Sequence, residues 1–150
     1  MDKRLQIEHL GRLLHVEVHA VSAYDGAIER IRDEGRRRHL EGMRDDHERH
    51  VIDITELLRE MGEPAPGPTP EVERLFAPAM SALKNGSADD DVLHAMRMNE
   101  QVLAHEYANA RGWGVGLQVH DLLARNDADE QRHLSAIEEM LAATGTPARP

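Results

Sequence analysis

Apolar residues recur along most of the chain at intervals of three and four positions, which is the spacing of one face of an α-helix. Glycines and prolines interrupt this pattern and divide it into four long segments and one short one. The predicted long helices cover about 3–34, 36–62, 88–111 and 117–143, and the short helix covers about 70–84. The sequence therefore predicts an all-α protein.

Several residues mark the predicted helix ends. Gly35 lies near the break between the first two helices, and Gly62 fits the end of the second helix as a C-cap. Thr69, followed by a proline, fits the N-cap of the short helix. Ser87 with Asp90 three residues later is typical of a capping box, and it predicts the start of the third long helix.

Each long helix also carries ionisable residues in the middle of its apolar face. In chain order these residues are Glu17, His47, His50, Glu100, Glu130 and His133. Residues three positions apart share a helix face, so His47 points the same way as His50, and Glu130 points the same way as His133. Burying charge there is costly unless the charge is paired or bound to a metal. The pattern therefore indicates either a metal site or a buried salt-bridge network.

The second half of the chain repeats the first with an offset of 83 positions. The offset carries Glu17 to Glu100, Tyr24 to Tyr107, Asp46 to Asp129, Arg49 to Arg132, His50 to His133, Gly62 to Gly145 and Pro64 to Pro147. We therefore expect two copies of one helical hairpin. About 25 residues join them, enough for a crossover that runs the length of a bundle. Pairing the copies about a pseudo-twofold axis brings three carboxylates and three imidazoles together, a ligand mix that suits iron, manganese or zinc.

One Glu on each of two helices, with Glu-x-x-His on the other two, is the pattern of the ferritin-like di-metal carboxylate superfamily. The chain resembles that superfamily over about residues 5–143, and bacterioferritins and rubrerythrins are the families it is most similar to. The resemblance implies an antiparallel four-helix bundle whose long crossover carries the short helix. Glu17 and Glu100 match the terminal carboxylates, and Glu130 with His133 matches one Glu-x-x-His motif.

Two tyrosines extend the resemblance. Tyr24 and Tyr107 each follow a terminal glutamate by seven positions, and they resemble the tyrosines that bacterioferritins place beside the ligand carboxylates. Such hydroxyl groups orient ligands through hydrogen bonds. The resemblance therefore implies that both tyrosines are catalytic residues that orient the ligands or supply protons.

The other motif departs from the family, because His47 stands where the family has a bridging glutamate. Glu130 is then the one bridging carboxylate of the kind that the family has. The site has three carboxylates in total, so two divalent ions would leave a net charge of about +1. This charge favours a single ion, a mixed pair of ions, or zinc or manganese over a di-iron centre. Asp46 and Glu48 are weak substitutes, since each lies about 100° around the helix from His47.

Composition narrows the function further. The 150 residues suit one domain, which we expect at 1–145 with a tail at 146–150. The net charge of −10 argues against nucleic acid and anionic membranes as partners. The chain has no cysteine, which excludes iron–sulfur clusters and disulfides. Neither a signal peptide nor a membrane-spanning run is evident, so a cytoplasmic protein is expected.

The expected function is that of a metal-binding, iron-dependent oxidoreductase. It would oxidise Fe(II) or reduce O2 or H2O2 at a core site holding two iron ions, or one, which would make it ferroxidase-like or peroxidase-like. One alternative is a zinc or manganese module without redox turnover. Another is a metal-free helical interaction or stress module in which the Glu–His groups form a structural network. A homodimer is compatible with a short bundle of this type.

Overall fold

The computed structural model describes residues 1–62, 67 and 69–144, and five α-helices make up most of this part of the chain. They are α1 (Lys3–Arg30), α2 (Glu34–Glu60), α3 (Pro70–Asn85), α4 (Asp89–Ala110) and α5 (Leu117–Thr144). The all-α prediction is confirmed, with four long helices and one short helix in the predicted order. The predicted repeat partners Gly145 and Pro147, the predicted boundary at 145 and the tail 146–150 lie outside the described residues, as does Pro64.

The break between α1 and α2 lies at residues 31–33, so the predicted end of the first helix near 34 is wrong and Gly35 lies inside α2. Asp33 causes this shift, because its carboxylate accepts a hydrogen bond from the backbone of the first turn of α2. The carboxylate of Asp89 also accepts the backbone N–H groups of Arg32 (2.8 Å) and Asp33 (3.0 Å). A residue from the start of α4 therefore stabilises the first hairpin loop.

The start of α4 also differs from the predicted capping box of Ser87 and Asp90. The N-cap position belongs to Ala88, and the carboxylate of Asp91 accepts the backbone N–H groups of Ser87 and Ala88, both at 3.0 Å. The helix therefore begins one residue later than the predicted capping box implied. The acidic side chain of Asp91, inside the first turn, accepts hydrogen bonds from the backbone N–H groups that precede the helix.

Two other helix ends follow the prediction more closely. Gly62 directly follows the C-cap residue of α2 and has a φ of 83°, a conformation that glycine adopts without a steric cost. Thr69 occupies the N-cap position of α3 and a proline follows it, but the threonine side chain makes no capping hydrogen bond.

The short connections 31–33 and 111–116 make α1 antiparallel to α2 and α4 antiparallel to α5. Between the hairpins, the hydroxyl of Tyr24 reaches Glu100 and that of Tyr107 reaches Glu17. Since a later residue of α1 pairs with an earlier residue of α4, these two helices are antiparallel as well. It follows that α2 and α4 run in the same direction.

The connection from α2 to α4 must therefore travel the length of the bundle, as the sequence predicted for the crossover. Helix α3 belongs to this connection and packs against α1 and α4. Its buried side includes Val72, Phe76 and Leu83. Of the helices described, none combines the length and apolar character that crossing a membrane requires.

The apolar core consists of two clusters with a polar layer between them. Along α2, Leu40 and Met43 belong to one cluster, whereas Ile54 and Leu57 belong to the other. Buried polar residues occupy the middle of this helix, between the clusters. The two clusters therefore shield the polar layer from solvent at both ends of the bundle.

Candidate metal centre

The polar layer brings together all six ionisable residues that the sequence singled out. Five of them are 0% exposed and the sixth is 3% exposed; they are Glu17 on α1, His47 and His50 on α2, Glu100 on α4, and Glu130 and His133 on α5. We refer to these six residues as the central cluster. Each hairpin contributes three of them.

His47 lies between the two hairpins. Its Nδ1 is 2.6 Å from Oε1 of Glu17, and its Nε2 is 2.9 Å from Oε1 of Glu100. Burial alone would lower the pKa of the imidazole, but the charges of Glu100 and Glu17 outweigh burial and raise the pKa of His47 to about 10. The ring is thus an imidazolium that donates one hydrogen bond to Glu17 of the first hairpin and one to Glu100 of the second.

The carboxylates respond in the opposite sense. Burial would raise the pKa of Glu17, but the neighbouring His47 and His50 outweigh it and lower this pKa to about 2. Burial opposes the charge of Glu100 in the same way, and His47 and His133 outweigh it and hold the Glu100 pKa well below its usual range. Both terminal glutamates are therefore ionised and accept hydrogen bonds.

His50 and His133 occupy equivalent places in the two hairpins. The Nδ1 of His50 is 2.8 Å from Glu17, and the Nδ1 of His133 is 3.0 Å from Glu100. On the outer side of the cluster, the Nε2 of His50 is 2.7 Å from Asp129, and that of His133 is 2.8 Å from Asp46. An outer carboxylate on Nε2 fixes the orientation of each ring and aims Nδ1 at the cluster.

Asp46 and Asp129 are the residues whose role the sequence analysis missed. Asp46 does not take a bridging position, in agreement with its place on the helix, and it contacts His133 from outside. Arg49 and Arg132 pair with both aspartates. The available signal was the internal repeat, which carries the first aspartate and arginine onto the second aspartate and arginine.

Tyr24 and Tyr107 link each hairpin to the terminal glutamate of the other. The hydroxyl of Tyr24 donates to Glu100 at 2.5 Å, and that of Tyr107 donates to Glu17 at 2.5 Å. Burial and the nearby carboxylates raise the pKa of both phenols well above the usual value, so both stay protonated. The two tyrosines therefore hold the terminal carboxylates in place.

The surroundings of the two tyrosines differ. The amide nitrogen of Asn126 donates to the hydroxyl of Tyr107 at 3.1 Å, whereas the sulfur of Met43 lies 3.6 Å from the hydroxyl of Tyr24. Asn126 and Met43 correspond under the 83-residue offset. Together with His47 and Glu130, they make the two halves of the site chemically unequal.

Glu130 is the unusual member of the central cluster. It is 0% exposed, and within the described part of the chain neither of its carboxylate oxygens has a hydrogen-bond partner. Its Oε1 lies 3.3 Å from Nδ1 of His50 and 3.6 Å from Nδ1 of His47. Burial, with the negative charges of Glu100 and Glu17, raises the pKa of Glu130 well above its usual range. Without a cation this raised pKa keeps Glu130 protonated and neutral beside Glu100, and a bound cation would take the place of that proton.

The potential ligand atoms form two overlapping groups of four. One group is Glu17, His47, His50 and Glu130, and the other is His47, Glu100, Glu130 and His133. Within each group the ligand atoms lie within 4.8 Å of one another. His47 and Glu130 belong to both groups, and the unpartnered oxygens of Glu130 lie where the groups meet. The donor set could therefore hold a metal ion in either group.

Fold and site together define a helical bundle with a buried carboxylate–imidazole cluster that could bind metal. Comparison with models of known protein families finds no match to this chain, and a search of curated proteins finds no match either.

Proposed function

We propose that the central cluster is a metal centre and that the protein is a ferritin-like, iron-dependent oxidoreductase that oxidises Fe(II) or reduces O2 or peroxide. The single observation that carries the metal centre is Glu130, a fully buried carboxylate without a hydrogen-bond partner in the described chain, placed between three histidines and two glutamates. An ionised carboxylate is costly to bury unless a cation or hydrogen bonds satisfy it, so Glu130 holds a proton that a metal ion would displace. The ferritin-like assignment rests on the repeat, the crossover and the ligand pattern.

In this proposal each hairpin supplies a terminal carboxylate and a histidine. Glu17 with His50 would hold one ion, and Glu100 with His133 would hold the other, while Glu130, which belongs to both groups, could contribute to either. When bound, iron supplies the electrons that O2 or peroxide accepts.

The protein contributes position and protons. The hydroxyls of Tyr24 and Tyr107 keep Glu100 and Glu17 in their orientations, and both hydroxyls retain a proton next to the reacting centre. Asp46 and Asp129 fix the outer nitrogens of the histidines, which directs the inner nitrogens at the central cluster, where they would bind the metal. The apolar clusters above and below keep bulk water away.

His47 favours a second candidate function, that of a zinc or manganese protein without redox turnover. It gives the central cluster three imidazoles, and nitrogen ligands suit zinc well. A cytoplasmic location, the identity of the oxidant and a homodimer stay predictions.

Anaerobic titration with Fe(II), followed by exposure to O2, tests the proposal. We expect one or two iron ions to bind per chain and an absorbance change when O2 is admitted. Glu130→Gln should lose most of the bound iron, because the amide cannot replace a negative ligand. Glu138→Gln is the matched control, since it removes an exposed carboxylate from the same helix.

Zinc or manganese binding with no iron oxidation would select the second candidate. Failure to bind Fe(II), Mn(II) or Zn(II), with the folded state verified by circular dichroism, would overturn both functions and leave a metal-free helical module.

A further inference from the structure

The imidazole of His47 presents a different nitrogen to each of the two groups of potential ligands. Nδ1 lies beside Glu17 of the first group, and Nε2 lies beside Glu100 of the second. The opposite edges of one ring thus face the two terminal carboxylates, and the ring is 0% exposed.

The other two histidines of the central cluster have a different arrangement. His50 and His133 turn only Nδ1 inward, and their Nε2 atoms are engaged by Asp129 and Asp46. Each of these rings therefore has one nitrogen available to the centre. His47 has no such outer carboxylate, because both its nitrogens contact glutamates of the central cluster.

The charge of the centre points in the same direction. Two divalent ions beside Glu17, Glu100 and Glu130 leave one positive charge uncompensated in a fully buried layer. His47 corresponds under the internal repeat to Glu130, which belongs to both groups. An imidazolate at position 47 supplies one negative charge and, like a bridging carboxylate, offers two donor atoms.

We propose that His47 binds two divalent ions at once, one through each ring nitrogen, as a bridging imidazolate. This inference rests on the proposed metal centre and specifies how its two halves are joined. Both protons of the imidazolium leave to solvent when the two metal–nitrogen bonds form, and no oxidation or reduction is involved. His47 is then a ligand that makes up for the missing carboxylate.

Zn(II) is the probe for the test because it is diamagnetic and binds imidazole nitrogens. Protein labelled with 15N-histidine is loaded with Zn(II), and the zinc content is measured. Two-bond 1H–15N correlation spectra then report whether each ring nitrogen carries a proton or a metal. His47→Gln assigns the signals of His47; if this variant does not fold, single His50→Gln and His133→Gln variants show whether a ring with two metal-bound nitrogens belongs to either of those residues.

We expect two zinc ions per chain and one ring, that of His47, with both nitrogens metal-bound and neither protonated. The rings of His50 and His133 should each keep a proton on Nε2. A His47 ring with one protonated nitrogen, whether one or two zinc ions are bound, would overturn the bridge while leaving the metal centre intact. Absence of zinc binding would overturn the bridge, whereas the metal centre falls only if Fe(II) and Mn(II) also fail to bind.

Discussion

At the scale of single residues, the two buried tyrosines offer a matched comparison. Tyr107→Phe removes a hydrogen bond to Glu17 and also leaves the amide of Asn126 without its partner. Tyr24→Phe removes the equivalent bond to Glu100 and the weak contact with the sulfur of Met43, but it leaves no buried amide donor without a partner. Since a buried donor left unsatisfied costs about 1–3 kcal/mol, Tyr107→Phe should lower the free energy of unfolding by at least about 1 kcal/mol more than Tyr24→Phe.

Urea unfolding of the chelator-treated protein measures this difference. Asn126→Met serves as the control background, because it gives the second hairpin the residue that the first hairpin has at the corresponding place. In that background the two tyrosine substitutions should have similar effects. Equal losses in the original background would contradict the role assigned to Asn126.

The residues of the central cluster were predictable because each is an ionisable side chain in an otherwise apolar helix face. The partners outside the cluster were not, since helical periodicity places Asp46 and Asp129 at its edge and says nothing about which histidine each one meets. The structure pairs them across the hairpins, Asp129 with His50 and Asp46 with His133. Such pairing depends on how α2 packs against α5, which spacing along one helix does not encode.

At the scale of helices, Gly42 lies within α2 and Gly62 lies just after its end, and replacing them with alanine should change stability in opposite directions. Gly62 has a φ of 83°, so an alanine there would be strained although its Cβ would meet no atom within 4 Å. Gly62→Ala should lower the free energy of unfolding by about 1–2 kcal/mol. Gly42 lies within α2, and a Cβ there also meets nothing within 4 Å. Gly42→Ala should raise the free energy of unfolding by about 0.5–1 kcal/mol.

Thermal and urea unfolding of the two alanine variants measure these effects. The added methyl group is the same in both, so the comparison isolates the backbone conformation. A similar change in stability at both positions would show that the positive φ at position 62 has no cost for alanine.

Helix existence and order followed from apolar periodicity, but the first hairpin loop did not. Gly35 was the residue expected to break the helix, yet Asp33 caps α2 and Asp89 binds the loop backbone from the start of α4. A glycine in the first turn of a helix is tolerated when a cap residue precedes it. The contribution of Asp89 is tertiary, because 56 positions separate it from Asp33.

At the scale of the whole molecule, the buried charges make the stability of the metal-free fold depend on pH. The folded state keeps the proton of His47 up to a pH of about 10, whereas the unfolded chain loses it near 6.5. The folded state therefore binds more protons in this interval, and the free energy of unfolding should fall as the pH rises through it. On the acid side, Glu17 has the opposite shift, to about 2 from 4.5, so its contribution is lost as the pH falls below about 4.5.

Urea midpoints of the chelator-treated protein, measured from a pH of about 6.5 to about 10, test the alkaline limb. His47→Gln is the comparison, since it removes the titrating ring while keeping a polar side chain. Its midpoint should change less over this interval than that of the original chain. Parallel profiles would show that His47 is not the group responsible.

The internal repeat has one more consequence, which concerns how such a site can change over time. Two identical hairpins assembled as separate chains must carry the same residue at every corresponding position, so a substitution alters both halves of the site together. Joining the hairpins in one chain removes that constraint. Here the linkage allows an imidazole at position 47 opposite a carboxylate at position 130, and a thioether at 43 opposite an amide at 126. Covalent fusion thus permits an asymmetric site that a symmetric assembly of identical free hairpins cannot form.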